Sequence, residues 1–211
     1  AYYGIAATLS MGLDRGELPY ELRAMPVDAT ALFRTAGRGI AMPNAGPNAL
    51  YWRDAPYGIT TEAEGRQAVR ELAAKKADMV KIWVDDRNGT VPKLSPAIYR
   101  AIIDEAHKHR LRVIAHAMTL EDMKALLRAN IDGFAHLFRD RDPDAEVLGL
   151  LKSRPNVFFM VTMWAPRHAA MTRPPAWADD PRLKETATAE QIQQFKDGFR
   201  NRTQESVAPA V

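Results

Sequence analysis

The chain has 211 residues, 46% of them hydrophobic, with 29 Lys and Arg against 26 Asp and Glu, a formal net charge of +3 and no cysteine. That size and composition allow one sizeable buried core and exclude a disordered chain. They also exclude a disulfide scaffold, thiol catalysis and zinc held by thiolates. Acidic and basic residues interleave along most segments, so the small positive excess forms no continuous patch for nucleic acid. No apolar run reaches the length of a membrane span, and no signal-peptide core is visible. The compartment stays open between cytoplasm and periplasm. AYYGIAATLSMG begins directly in what reads as a strand, without a methionine, as expected of a piece of a longer domain.

Short apolar runs then alternate with segments of helical period, which predicts βα units and a parallel sheet. The predicted strands are Gly4–Ser10, Gly37–Ala41, Met79–Val84, Arg112–Ala117, Gly133–Leu137 and Val157–Met163. The helices between them carry start signals. Thr61 with Glu64 forms a capping box, and Ser95 precedes Pro96. Thr119 with Asp122, and Asp142 before Pro143, follow the same pattern. Two connections, residues 41–58 and 163–182, are rich in Pro, Asn or aromatics and too long for ordinary turns. Both follow strands, and in βα architectures the loops after strands gather on the face where sites are built. The last helix-like piece, TAEQIQQFKDGFRNRTQ, spaces Ile192, Phe195 and Phe199 along one side.

Lys81 is the anomaly, because it interrupts the buried-strand run MVKIWVDD. An isolated buried ammonium costs several kcal/mol or gives up its proton. Alternation places Met79, Lys81 and Trp83 on one strand face, with Val80, Ile82 and Val84 on the other. In VIAHA, His116 shares a face with Ile114; in GFAHL, alternation pairs His136 with Phe134. Lys81, His116 and His136 lie 35 and 20 residues apart, each gap compatible with one βα repeat. Three successive strands thus each send a polar side chain toward one interior, and converging imidazoles point to a metal site. An ammonium has no lone pair to give. Carboxylation removes the difficulty, since a carbamate on Lys81 is an anionic two-oxygen ligand that nearby divalent charge favours.

The segments MVKIW, DEAHKH, RVIAHA and IDGFAHL, read in that order, resemble the metal-dependent amidohydrolase superfamily, in particular its imidazolonepropionase-like and prolidase-like branch. YYGIAATLSMG and RTAGRGIAMPNAGP resemble that branch's second and third barrel strands, and the likeness runs to about residue 163. It implies an α/β fold, a (β/α)8 TIM barrel, here incomplete and spanning about strands 2 to 7 as a single partial catalytic domain over residues 1–211. The first and eighth strands and any flanking β-sandwich would be absent. It also implies one or two divalent ions, zinc foremost, held by carboxylated Lys81, His116 and His136. The implied reaction is hydrolysis of an amide or other C–N bond through a metal-activated water.

The family's His-x-His pair and its eighth-strand aspartate have no counterpart in context, so no catalytic acid–base residue is assigned and the isolated chain is expected to be impaired. HKH at 107–109 has the spacing of the pair but sits at a helix end, where solvated side chains are expected. Six strands fall short of the eight of a closed barrel. Open edges invite pairing, so a homo-oligomer is one way of covering them. Arg87 and Arg139 would lie in loops above the metal and clamp a carboxylate, with Tyr51 and Trp52 walling an apolar group. A dipeptide or N-acyl amino acid fits those contacts.

Other readings remain open at this level. A lone strand histidine is more often a hydrogen-bonded core residue than a ligand. Lys81 alone would suit a metal-free Schiff-base lyase, and the whole chain would suit a non-catalytic partial domain needing a missing segment or partner. His168 is expected to be a solvated loop residue. Asp85 and Asp86 are expected to cap a turn or face solvent, and Arg139 and Arg141 to form a surface ion network with Asp140 and Asp142.

Overall fold

The computed structural model describes residues 4–161 and 171–203. The chain divides into two compact units, Ala1–Val161 and Thr162–Val211.

In the first unit, β1 (Ala7–Ser10) pairs in parallel with β2 (Leu32–Thr35), with Ala7 opposite Leu32, and helix α1 (Leu18–Ala24) connects them. A second sheet takes β3 (Ile40–Ala41), β4 (Tyr57–Gly58), β5 (Val80–Trp83), β6 (Val113–His116), β7 (Gly133–Phe134) and β8 (Phe158–Phe159). All six are parallel, in the order β4-β3-β5-β6-β7-β8. Between them run α2 (Glu62–Ala74), α3 (Pro96–Lys108), α4 (Leu120–Arg128) and α5 (Ala145–Ser153), so four successive crossovers are βαβ units. The two sheets meet beside β5. Asp78 N–H donates to Thr35 O at 2.8 Å, and Ile40 pairs with Ile82. β2 and β3 therefore flank successive stretches of one neighbour, a broken strand where the sequence suggested only Gly37–Ala41.

The start signals act as expected at three helices. Thr61 and Glu64 close a reciprocal capping box, Ser95 accepts from Ile98 N–H behind Pro96, and Thr119 accepts from Asp122 N–H. At α5 the cap is Asp144, which accepts from Val147 N–H at 2.9 Å, in place of the expected Asp142. Proline disfavours a helical conformation in the residue before it, so the helix starts beyond Pro143.

Helices cover one face of the larger sheet. Val80, Ile82, Val84, Val113, Ala115 and Phe134 pack there against Val69, Leu72, Ile102, Leu126 and Leu127, all essentially inaccessible. Fully burying an aliphatic side chain contributes roughly 1.5–3 kcal/mol, so this layer holds the strands in place. The opposite face is thinner. Met79, Ile114 and Ala135 meet Ala36, with Leu9, Met11 and Phe158 at its margin. Lys81 belongs to this second face.

In the second unit, two 3-10 turns, Ala176–Asp179 and Pro181–Glu185, precede α6 (Ala189–Asp197), which a Thr188–Gln191 capping box starts. The helix is shorter than the periodic pattern suggested, and Phe199 lies just past its end, buried against Phe195. His168 and the end of the expected strand Val157–Met163 lie outside the described residues. Among the described residues no helix is long and apolar enough to cross a membrane.

Candidate functional site

Lys81 sits mid-strand in β5 and is 2% exposed. Its Nζ is buried without a hydrogen-bond partner among the described residues, 5.0 Å from the Trp83 ring centroid. Burial pushes its pKa down to about 7. The room for this side chain comes from Gly12, where an added Cβ would stand 2.8 Å from Lys81 Cγ and 3.0 Å from Trp83 Cη2. Gly12 also has φ +92°, a conformation that glycine adopts without strain. Gly39, hydrogen-bonded to Gly12 O at 2.7 Å, leaves space for the same tryptophan.

His116 closes β6 in register with Trp83, on the face it shares with Ile114 as alternation requires. Its Nε2 lies 3.1 Å from Asp85 Oδ2. Burial lowers the His116 pKa, against the opposing pull of the Asp85 carboxylate. Asp85 is held below the usual carboxylate range, first by the hydrogen bond to His116. Its other oxygen accepts from Arg87 N–H at 2.9 Å. Asp85 thus caps the turn as expected, but it also reaches the imidazole, which the sequence reading missed. The available signal was its position two residues beyond Trp83, whose register partner is His116.

His136 reaches the same place by a different route from the one expected. Phe134 packs with the helix-side core while Ala135 lies on the opposite face, so strand alternation would carry His136 away from Lys81. β7 ends at Phe134, however, and the chain turns after it. The His136 and His116 rings meet edge to face, with centroids 5.1 Å apart. Burial, together with His116, Lys81 and Arg139, pushes the His136 pKa down to about 4. Both imidazoles are therefore neutral at physiological pH and retain a lone pair. That donor set, beside an orphaned lysine amine, fits a divalent cation. Among the described residues no group of three or more His, Cys, Asp and Glu side chains forms a metal cluster. Lys81 is the third member here.

The proposed substrate contacts differ in placement. Arg87 has φ +50° in the turn after β5, and its Nη2 donates to Gly46 O and, at 3.1 Å, to Pro47 O. Its Nη1 is buried without a hydrogen-bond partner among the described residues. Arg139 is exposed, and its backbone N–H donates to Met118 O. Tyr51 is 76% exposed in the 3-10 turn Leu50–Trp52 of the long loop, tilted against Trp52. Asp140 caps α4 through Leu120 N–H while pairing with Arg141, so it does more than sit in a surface ion network. Asp86 pairs with Lys93.

His109 is exposed as expected, while His107 is only partly solvated. Its Nε2 lies 2.8 Å from Asp132 Oδ2, which also accepts from Val113 N–H at the start of β6, the end opposite His116. A cavity of about 490 Å³ at that end is lined by Asp132, Arg154 and Asn156. Arg154 there is committed to the carbonyls of Leu127 and Ile131.

No family model and no curated protein matches the chain. Solved structures do. A Xaa-Pro dipeptidase with methionine bound in its active site is similar at 22% identity and a TM-score of 0.62, over 91% of this chain and 51% of the other. A putative prolidase from Bifidobacterium longum gives 22% and 0.63, over 98% and 49%. An ochratoxinase from A. niger gives 16% and 0.58, over 94% and 48%. The fold is similar to part of each of these structures. The chain spans about half the length of the structures it matches, and Lys81, His116 and His136 stand at or just after three consecutive strands of the sheet.

Proposed function

We propose that the chain is part of a metal-dependent hydrolase of the amidohydrolase superfamily that cleaves amide or other C–N bonds. Lys81, His116 and His136 hold one or two divalent ions, zinc foremost, with Lys81 carboxylated. The observation that carries this reading is the Lys81 amine, buried without a hydrogen-bond partner among the described residues and close enough to two neutral imidazoles for its charge to act on both. A buried polar group left unmatched is rare and calls for a missing partner. A bound divalent cation supplies Lewis acidity and a water acidified to near-neutral pKa. An amine with a pKa near 7 has the neutral fraction that adds carbon dioxide.

Arg87 and Arg139 orient a carboxylate on the substrate, and Tyr51 bounds its apolar part. The orphaned Arg87 Nη1 supports that assignment. A dipeptide or N-acyl amino acid is the matching substrate class, and the prolidase likeness of the fold is in keeping with it. No residue of this chain is assigned as the proton-transfer group.

Elemental analysis of the purified chain beside Lys81→Ala and His116→Ala tests the metal reading. Near-stoichiometric zinc or a similar ion that falls in both variants is the expected result. A 13C carbamate resonance after growth with labelled bicarbonate, absent in Lys81→Ala, is the second. A metal-free chain that is trapped at Lys81 by borohydride with a carbonyl substrate would replace this reading with Schiff-base chemistry.

A further inference from the structure

Asp85 spends its two oxygens on two different elements. Oδ1 accepts from Arg87 N–H at 2.9 Å and Oδ2 lies 3.1 Å from His116 Nε2. The carboxylate is largely buried, with 14% of its side chain exposed, as is the imidazole at 17%. The turn it caps is a demanding one, with Arg87, Asn88 and Gly89 all at positive φ. Left-handed backbone is strained for non-glycine residues such as Arg87 and Asn88, so the turn depends on such side-chain bonds. Asp86 Oδ1 accepts from Gly89 N–H and Thr90 Oγ1 donates to Arg87 O, which fixes the same turn from its other side.

An ionised carboxylate only accepts hydrogen bonds. The nitrogen facing Asp85 must therefore carry the proton, and in a neutral imidazole the other nitrogen then holds the lone pair. We infer that Asp85 is a positioning residue that fixes His116 as the Nε2–H tautomer and leaves Nδ1 as its donor atom toward a metal. This deepens the proposed function and rests on it for the identity of the ligand, but not for the tautomer. The same carboxylate ties the ring to the turn that carries Arg87, so the orientation of His116 and the placement of that guanidinium are set together. Outer partners of this kind fix the ring and raise its basicity as a ligand.

Asp85→Asn separates charge from shape. Arg87 N–H still needs an acceptor, so the amide oxygen stays with it and the amide NH2 faces His116. A donor in that place forces Nε2 to accept and moves the proton to Nδ1. The logic is that of the aspartate-to-asparagine change in the serine-protease triad, where geometry survives and the tautomer is wrong.

The experiment is long-range 1H–15N correlation NMR of the metal-free 211-residue chain, with the His116 signal assigned by its loss in His116→Gln, together with zinc affinity by chelator competition. Wild type is expected to show Nε2–H, and Asp85→Asn to show Nδ1–H with zinc affinity about 10–100-fold weaker. Nδ1–H in wild type overturns the inference without any variant having to fold. An unchanged tautomer with affinity within about threefold of wild type in Asp85→Asn overturns it as well. A wild-type chain that takes up no zinc, yet switches tautomer with Asp85→Asn, upholds the role of Asp85 and removes the metal reading instead.

Discussion

The edge of one imidazole meets the face of the other where His116 and His136 stand 5.1 Å apart between ring centroids. Neither ring is charged at neutral pH, since burial lowers both pKa values and each is further opposed by the Lys81 charge. Two neutral rings this close are either a packed pair or two donors to one ion, and a coupling measurement separates these. If they share an ion, His116→Ala and His136→Ala each weaken zinc binding beyond the roughly 10–100-fold typical of an outer partner. The double variant then adds much less than the sum of the singles, because groups acting on one ligand are not additive. Additive small losses, read by competition against a chromophoric chelator, would mean that the rings merely pack.

Gly12 tests how Lys81 is accommodated. A methyl group there meets Lys81 Cγ at 2.8 Å and imposes a side chain on a residue at φ +92°. Strain of about 1–2 kcal/mol in the backbone and 1–3 kcal/mol from overpacking should together lower stability by on the order of 3 kcal/mol. Urea denaturation of Gly12→Ala measures it. A loss under about 1 kcal/mol would show that the lysine has room to move.

Much of this architecture was legible in the residues because it depends on short-range signals. The capping patterns at Thr61, Ser95 and Thr119 and the apolar runs around Val80 and Val113 mark α2, α3, α4, β5 and β6 directly. The two-residue pieces β3, β4, β7 and β8 were located less well, since so short a strand has no period of its own and takes its identity from neighbours. α1 went unread: it is seven residues long and buries none of them, so it has no apolar stripe to display. Within the site, Lys81 stood out because a charge in a buried run contradicts its surroundings. Alternation with Phe134 puts His136 on the wrong face, because alternation ceases to hold once the strand ends at Phe134. Asp85 reads from the sequence as a turn residue alone because its second partner lies 31 positions away.

Asp78 gives the fold a pH dependence away from the candidate site. It accepts from Arg23 Nε at 2.8 Å, Arg23 Nη2 at 3.1 Å and Thr35 N–H at 2.9 Å, joining α1 and β2 to the entrance of β5. Burial alone would raise its pKa, but the Arg23 guanidinium and the Thr35 amide together hold it below the usual carboxylate range. The folded state therefore binds this proton more weakly than the unfolded chain. The stabilisation is complete above the unfolded pKa near 4 and fades as the pH falls through the lower folded value. Asp78→Asn should cost about 1.5–3 kcal/mol at pH 7, the worth of hydrogen bonds to a charged group. The gap between wild type and variant should narrow below pH 4 in urea titrations. A gap of constant size from pH 7 to pH 3 would rule out the ion pair as its source.

Arg87 has a structural duty that a substrate role must coexist with. Its Nη2 bridges the carbonyls of Gly46 and Pro47, some 40 residues away, and so latches the long loop after β3 to the turn after β5. Removing it leaves two carbonyls without that donor, at a cost of about 1–3 kcal/mol. Lysine keeps the charge but not the planar fork that reaches two oxygens at once. Arg87→Met and Arg87→Lys should therefore lose similar stability, and both should open the 41–58 loop to limited proteolysis. A lysine variant as stable and as protease-resistant as wild type would show that charge alone suffices. The fork would then be free to serve a bound carboxylate.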